Sequence, residues 1–105
     1  MSFSVKQRTM SHNVVRLAVF GDLDTAGGEL LTEAIAEVMS AGPPAGLILD
    51  LDAVALLDAR GIYAIERAHR LAANAGVAFV VVNTHNLIAR WLLEDSGVLT
   101  AISRS

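Results

Sequence analysis

Residues 14–20 read Val-Val-Arg-Leu-Ala-Val-Phe, a β-branched and aromatic run that predicts a strand. Before it, Phe3 and Val5 alternate with polar neighbours, the pattern of an edge strand, and Ser11-His12-Asn13 reads as a turn between the two. Gly21-Asp22-Leu23-Asp24 breaks the apolar run. From Thr25 the spacing becomes helical: Leu30, Leu31, Ala34, Ile35, Val38 and Met39 share one face, and Glu29, Glu33 and Glu37 lie off it. The Thr25 hydroxyl is placed to cap this helix, and Gly42-Pro43-Pro44 ends it, since proline cannot continue a helix. Residues 47–51 form a short apolar strand. Ile62, Ile65, His69 and Ala72 mark a second helix over 61–74, closed by Gly76 in the position of a left-handed cap. Residues 77–82 are almost wholly apolar, as in a strand covered on both faces. Asn83 and Thr84 offer caps for a third helix whose apolar stripe is Leu87, Ile88, Trp91 and Leu92, with Gly97 at its end and a short last strand at 98–102.

The order is β-β-α-β-α-β-α-β. Right-handed crossovers make the strands that flank each helix parallel, and the short first turn makes the opening pair antiparallel. The expectation is an α/β fold: a mixed four- to five-stranded sheet with three main helices packed mostly on one face, in a single domain over residues 1–105. The length of 105 residues suits one domain. Apolar residues are 53% of the chain but aromatics only 5%, so the core has to be built from Val, Leu, Ile and Ala, with Trp91 on its stripe filling part of it.

Charge and chemistry narrow the function. The formal charge is −3, the only lysine is Lys6, and the arginines are scattered along the chain. That pattern offers no stripe for a phosphate backbone and argues against nucleic acid. With no cysteine, thiolate chemistry and disulfides are excluded. His12, His69 and His85 show no metal-ligand spacing: His69 reads as packed, His85 as part of the third helix's first turn, His12 as a turn residue. There is no Gly-x-Ser-x-Gly and no Gly-rich phosphate loop, so neither an enzyme nor a cofactor is expected. Gly27-Gly28 reads as a place of close backbone approach. No apolar run nears the ~20 residues of a membrane helix, and the first residues lack a signal-peptide core, so no membrane insertion and a cytoplasmic location are expected.

Loops that follow the carboxyl ends of parallel strands gather on one rim. Here they carry Asp22, Asp24, Asp52, Asp58, Arg60, Asn83 and Thr84. The acids read as helix caps and loop solvation rather than metal ligands. The most informative stretch is Val54-Ala55-Leu56-Leu57-Asp58-Ala59-Arg60-Gly61-Ile62, a strand-to-helix corner whose free backbone N–H groups favour anions.

Three places in this order of elements resemble the STAS domain of the anti-sigma factor antagonist (anti-anti-sigma factor) family. Gly21-Asp22-Leu23-Asp24 is similar to the family's Gly-Glu-Leu-Asp. Residues 47–51, Val54 and then Leu57-Asp58-Ala59-Arg60-Gly61-Ile62 match its strand, loop and Asp-Ser-Ser-Gly-Leu corner. Val80-Val81-Val82-Asn83, Ile88, Leu92-Leu93 and Ser96-Gly97-Val98 track its last strand and helix. Together these cover about residues 14–102.

The resemblance implies a protein–protein switch in signal transduction and transcription regulation. In the family the corner serine is phosphorylated by an anti-sigma factor that is itself a kinase, and the unphosphorylated form binds that kinase and frees a sigma factor. Here the serine pair falls on Ala59 and Arg60, with Arg60 in the acceptor's place, so the site is degenerate. Three readings stay open: binding outside kinase control, an altered partner choice because a bulky cation meets a surface shaped for serine, or recruitment of an anion by Arg60. Against them stands an Arg60 that merely points to solvent. The expected partner-binding residues are Asp58, Ala59, Arg60, Gly61, Ile62 and Tyr63, with Asp22, Asp24 and Thr25 beside them and Tyr63 as an aromatic anchor. Asp58 is expected to pair locally with Arg60. The partner implied is an anti-sigma factor of the ATPase-fold kinase type, bound by a monomer or by a weak homodimer joined along the first edge strand. The alternatives are a STAS adaptor of a transport or signalling complex, and a small-ligand or nucleotide-binding STAS domain.

Overall fold

The computed structural model describes residues 3–102; the ends of the expected 1–105 unit, residues 1–2 and 103–105, lie outside them. The strands are β1 (Phe3–Met10), β2 (Val14–Leu23), β3 (Gly46–Leu57), β4 (Ala78–Val82) and β5 (Leu99–Ala101), and the helices are α1 (Thr25–Ser40), α2 (Ala59–Asn74) and α3 (Leu87–Asp95). A 3-10 turn, Ser11–Asn13, joins β1 to β2, with His12 and Asn13 at positive φ. The five strands lie in the order β1-β2-β3-β4-β5. The β1–β2 pair is antiparallel and the rest are parallel. The expected mixed α/β sheet with three helices is what forms.

Side chains alternate across a sheet, and here the alternation divides the strands into two surfaces. Val15, Leu17, Val19, Leu47, Leu49, Phe79 and Val81 join Leu31, Ile35 and Val38 of α1, Ile65, Ala68 and Ala72 of α2 and Leu93 of α3 in one buried cluster. All three helices therefore cover the same face. The other face carries Lys6, Arg8, Arg16, Asp50 and Val80.

Four expectations are corrected here. The glycine at 21 does not end β2: with φ 98° it lets the strand run on to Leu23 through two register shifts, between Ala18 and Phe20 and between Gly21 and Asp22. β3 runs past residue 51 to Leu57 because β2 continues beside it; on its other side β3 pairs with β4 only over residues 46–50. The third correction is α3. Its inward positions are Ala89 and Leu93, and Trp91 lies midway between them in sequence. At 3.6 residues per turn it projects the opposite way. Trp91 is 65% exposed and Leu87, Ile88 and Leu92 are exposed with it, so the stripe faces outward and Trp91 fills no part of the core. His85 also lies outside the helix: it precedes the N-cap residue Asn86 and places Nε2 2.8 Å from Asp52 Oδ1. His69 packs its ring 5.9 Å from that of Phe79, as expected.

Candidate functional site

β2 and β3 end in register, Leu23 beside Leu57, and the same five-residue pattern follows both: Leu23-Asp24-Thr25-Ala26-Gly27 and Leu57-Asp58-Ala59-Arg60-Gly61. Each aspartate is an N-cap. Gly27 N–H donates to Asp24 Oδ1 and Gly61 N–H donates to Asp58 Oδ1, both at 3.0 Å. Each satisfies one of the orphan donors at a helix start. Thr25, expected as the cap, is instead the first residue of α1; Asn86, rather than Asn83 or Thr84, caps α3 through Ala89 N–H at 3.0 Å.

The glycines explain how close the helix ends sit to the sheet. A Cβ on Gly27 would stand 2.2 Å from the Asp22 carbonyl oxygen, and one on Gly61 would stand 2.0 Å from that of Leu23. Asp58 N–H also donates to Leu23 O at 3.4 Å. Gly28 packs α1 against Ala64 of α2. The two helices thus start side by side on one rim, both with their positive dipole ends outward.

Between them lies an open groove of about 270 Å³. Thr25, Glu29 and Thr32 line it from α1, and Arg60, Tyr63 and Arg67 from α2. Arg60 is exposed in the first turn of α2, and among the described residues no ion pair engages it. The expected Asp58–Arg60 pair does not form, because the Asp58 carboxylate turns inward to cap the helix. Tyr63 is 52% exposed, with the Arg70 guanidinium 5.9 Å from its ring centroid. Ile62 is half-buried against the core, Gly61 is buried and Ala59 is exposed. Asp22 is only 8% exposed and its Oδ2 has no hydrogen-bond partner among the described residues, which leaves little of it for contact with another molecule. Thr25, Arg60 and Tyr63 therefore share a surface; Asp24 and Asp58 build it; Asp22 lies beneath it. Glu29, Thr32 and Arg67 were not among the site residues expected from the sequence. The repeated Leu-Asp-x-x-Gly was the available signal that two equivalent corners would stand together.

A second polar group lies on the uncovered sheet face. Arg16 Nη2 donates to Asp50 Oδ2 at 2.8 Å, while Asp50 Oδ1 accepts from Asn83 Nδ2 and from the Asp52 N–H, each at 3.0 Å. Burial pushes the Asp50 pKa up, but the hydrogen bonds from Asp52, Asn83 and Arg16 outweigh it, and the carboxyl is held below its ordinary 3.8. Asn83 adopts φ 62°, a conformation asparagine tolerates better than most residues.

The STAS domain family model matches residues 6–103. No curated protein matches the chain. Among solved structures the chain is similar to the anti-sigma factor antagonist SpoIIAA in its unphosphorylated form, with a TM-score of 0.78 at 15% identity over 96% of this chain and 90% of that one. It is also similar to an anti-sigma factor antagonist from Mycobacterium paratuberculosis, with a TM-score of 0.74 at 23% identity over 91% and 79%. The murine Slc26a9 anion transporter matches with a TM-score of 0.66 at 20% identity, over 95% of this chain but only 21% of the transporter. At these identities the likeness is one of fold.

Proposed function

The chain belongs to the STAS domain family, and from that premise we propose that it is a non-enzymatic interaction domain of the anti-sigma factor antagonist kind, docking through the rim where α1 and α2 begin. Its partner on this reading is an anti-sigma factor of the ATPase-fold kinase type in the cytoplasm, and sequestering that partner releases a sigma factor. One observation supports this above the others: the Arg60 guanidinium stands exposed on the groove between the two helix starts, beside Tyr63 and with no internal ion pair among the described residues. The corner is rigidly built, by two aspartate caps and two glycines that admit no Cβ, yet its outermost side chain is left to solvent.

The same position is where the resemblance places the family's phosphoacceptor. Neither Ala59 nor Arg60 carries a hydroxyl, so a kinase partner has nothing to modify there. A phosphoserine would bring nearly two negative charges to the helix start; Arg60 brings one positive charge. The chain then binds without being released by phosphorylation, and its surface favours a partner with an acidic or hydrogen-bond-accepting counterpart.

The test combines the purified chain with the ATPase-fold anti-sigma factor that co-purifies with it, and with ATP. The expected result is a stable complex, no added phosphate on this chain by intact mass, and one phosphate on an Arg60→Ser variant. Phosphate on the unaltered chain would end the reading of a lost acceptor. Failure of any such anti-sigma factor to bind would leave the STAS adaptor of a larger complex as the better account.

A further inference from the structure

We propose that the helix-free face of the sheet holds a binding site for a small oxyanion, a phosphoryl or carboxylate compound, formed by Lys6, Arg8 and Arg16. In sequence these cations look scattered. The β1–β2 hairpin gathers them: its register sets Arg8 directly opposite Arg16 and Lys6 opposite Ala18, and because alternate residues share a face, all three point away from the helices. Together with Gln7, Ala18 and Asp50 they line an open hollow of about 390 Å³. Three of the eight Lys and Arg residues of an acidic chain thus face one hollow.

The arrangement is costly without a ligand. Like charges directly opposite across a strand pair destabilise it, and among the described residues Asp50 is the only acid lining the hollow. Asp50 is also largely spent. Its Oδ1 accepts from Asn83 and from the Asp52 N–H, and only Oδ2 reaches Arg16. Arg16 is 8% exposed, yet the hydrogen bond it makes to Asp50 is a single one through Nη2. A guanidinium has five N–H donors in a planar fork that suits oxyanions. Lys6 and Arg8 are exposed; the Lys6 ammonium rests 5.5 Å from the Phe20 ring centroid, within reach of the same hollow. A small anion with several oxygens can take the remaining Arg16 donors, relieve the Arg8–Arg16 opposition and draw in Lys6. Three cations are too few for a nucleic-acid backbone. The site lies on the face opposite the helix-start rim and is independent of the function proposed above.

The probe is inorganic phosphate, titrated into the isotope-labelled full chain with ionic strength held constant by sodium chloride, and followed by amide chemical shifts. The expected result is saturable shifts at Lys6, Arg8 and Ala18. The dissociation constant should rise at least about tenfold when Lys6→Gln and Arg8→Gln are combined, through lost charge-assisted hydrogen bonds, at a melting temperature that does not fall, since the Arg8–Arg16 opposition is removed. An Arg60→Glu variant should bind phosphate as the unaltered chain does. Shifts that grow without saturating, that persist in the double variant, or that centre on residues 59–63 would each overturn the proposal.

Discussion

Gly61→Ala is the sharpest probe of how the rim at the two helix starts is held. The added methyl would sit 2.0 Å from the Leu23 carbonyl oxygen, 2.8 Å from the Leu23 carbonyl carbon and 3.0 Å from Leu57 Cδ1. Two of these are backbone atoms inside the sheet, so no rotamer change relieves them. Real Cβ contacts essentially never fall under 3.0 Å, so the start of α2 has to lift by roughly 1 Å. Overpacking of this kind costs about 1–3 kcal/mol. The lift also strains the Asp58 cap, worth about 1 kcal/mol. Alanine's better helix propensity returns about 1 kcal/mol at most. The net loss is about 1–3 kcal/mol. In a domain of this size each kcal/mol moves Tm by about 4–5 °C, so thermal unfolding followed by circular dichroism should show Tm falling by about 4–15 °C. Gly28→Ala is the control: its methyl would meet a side chain, Ala64 Cβ at 3.0 Å, with the nearest backbone atom at 3.7 Å, and its effect should be clearly smaller. A Gly61→Ala variant as stable as the unaltered chain would refute the close approach of α2 to β2, and with it the geometry of the rim.

Trp91→Ser should change stability by less than about 0.5 kcal/mol, as surface substitutions do, while Leu93→Ala on the inward side of the same helix should cost about 2–5 kcal/mol; urea unfolding of the two variants distinguishes them, and the reverse order would put Trp91 back in the core. Asp50 predicts a pH dependence. Its folded pKa lies below the ordinary 3.8, so the unfolded chain takes up its proton first as pH falls, and the stabilisation is full above 3.8 and lost as pH drops through the folded value. The stability gap between the unaltered chain and Asp50→Asn should therefore be level at neutral pH and close below 3.8; a gap that widens on acidification would contradict the Arg16–Asp50–Asn83 network.

The sequence carried the elements of this fold because its apolar periods change cleanly: Leu31, Ile35 and Val38 of the first stripe and Ile65 and Ala72 of the second bury as spaced, although Leu30, expected on the same face, is 46% exposed. It carried less where two answers satisfy one pattern. In α3 the apolar stripe and the inward face differ, since Ala89 and Leu93 suffice to seat a nine-residue helix on the sheet edge, and hydropathy alone favours the bulkier Trp91 side. The ends of β2 and β3 were hidden because Gly21 and Asp52 look like breakers, whereas pairing between the two strands carries both on to Leu23 and Leu57. Caps were misplaced by one to three positions, Asp24 for Thr25 and Asn86 for Asn83 and Thr84, since any of these side chains can accept from a helix N–H. For the candidate site, the position of Arg60 was legible from the strand-to-helix corner. The opposite wall of the groove was not, because Glu29 and Thr32 reach it only through packing at Gly28 and Ala64. The basic hollow was invisible for the same reason: hairpin register, and no local motif, sets Arg8 against Arg16.

The central claim is that the Arg60 side chain on the α2 rim forms part of the contact with an anti-sigma factor. Isothermal titration of that partner with the unaltered chain and with Arg60→Glu measures it directly. Arg60 is exposed and serves no cap, and a carboxylate suits the positive end of α2 better than a cation, so Tm should not fall, while reversal of its charge at the interface should weaken binding at least about tenfold, near 1.4 kcal/mol. Equal affinities for the two chains would contradict the account and move the contact to another face.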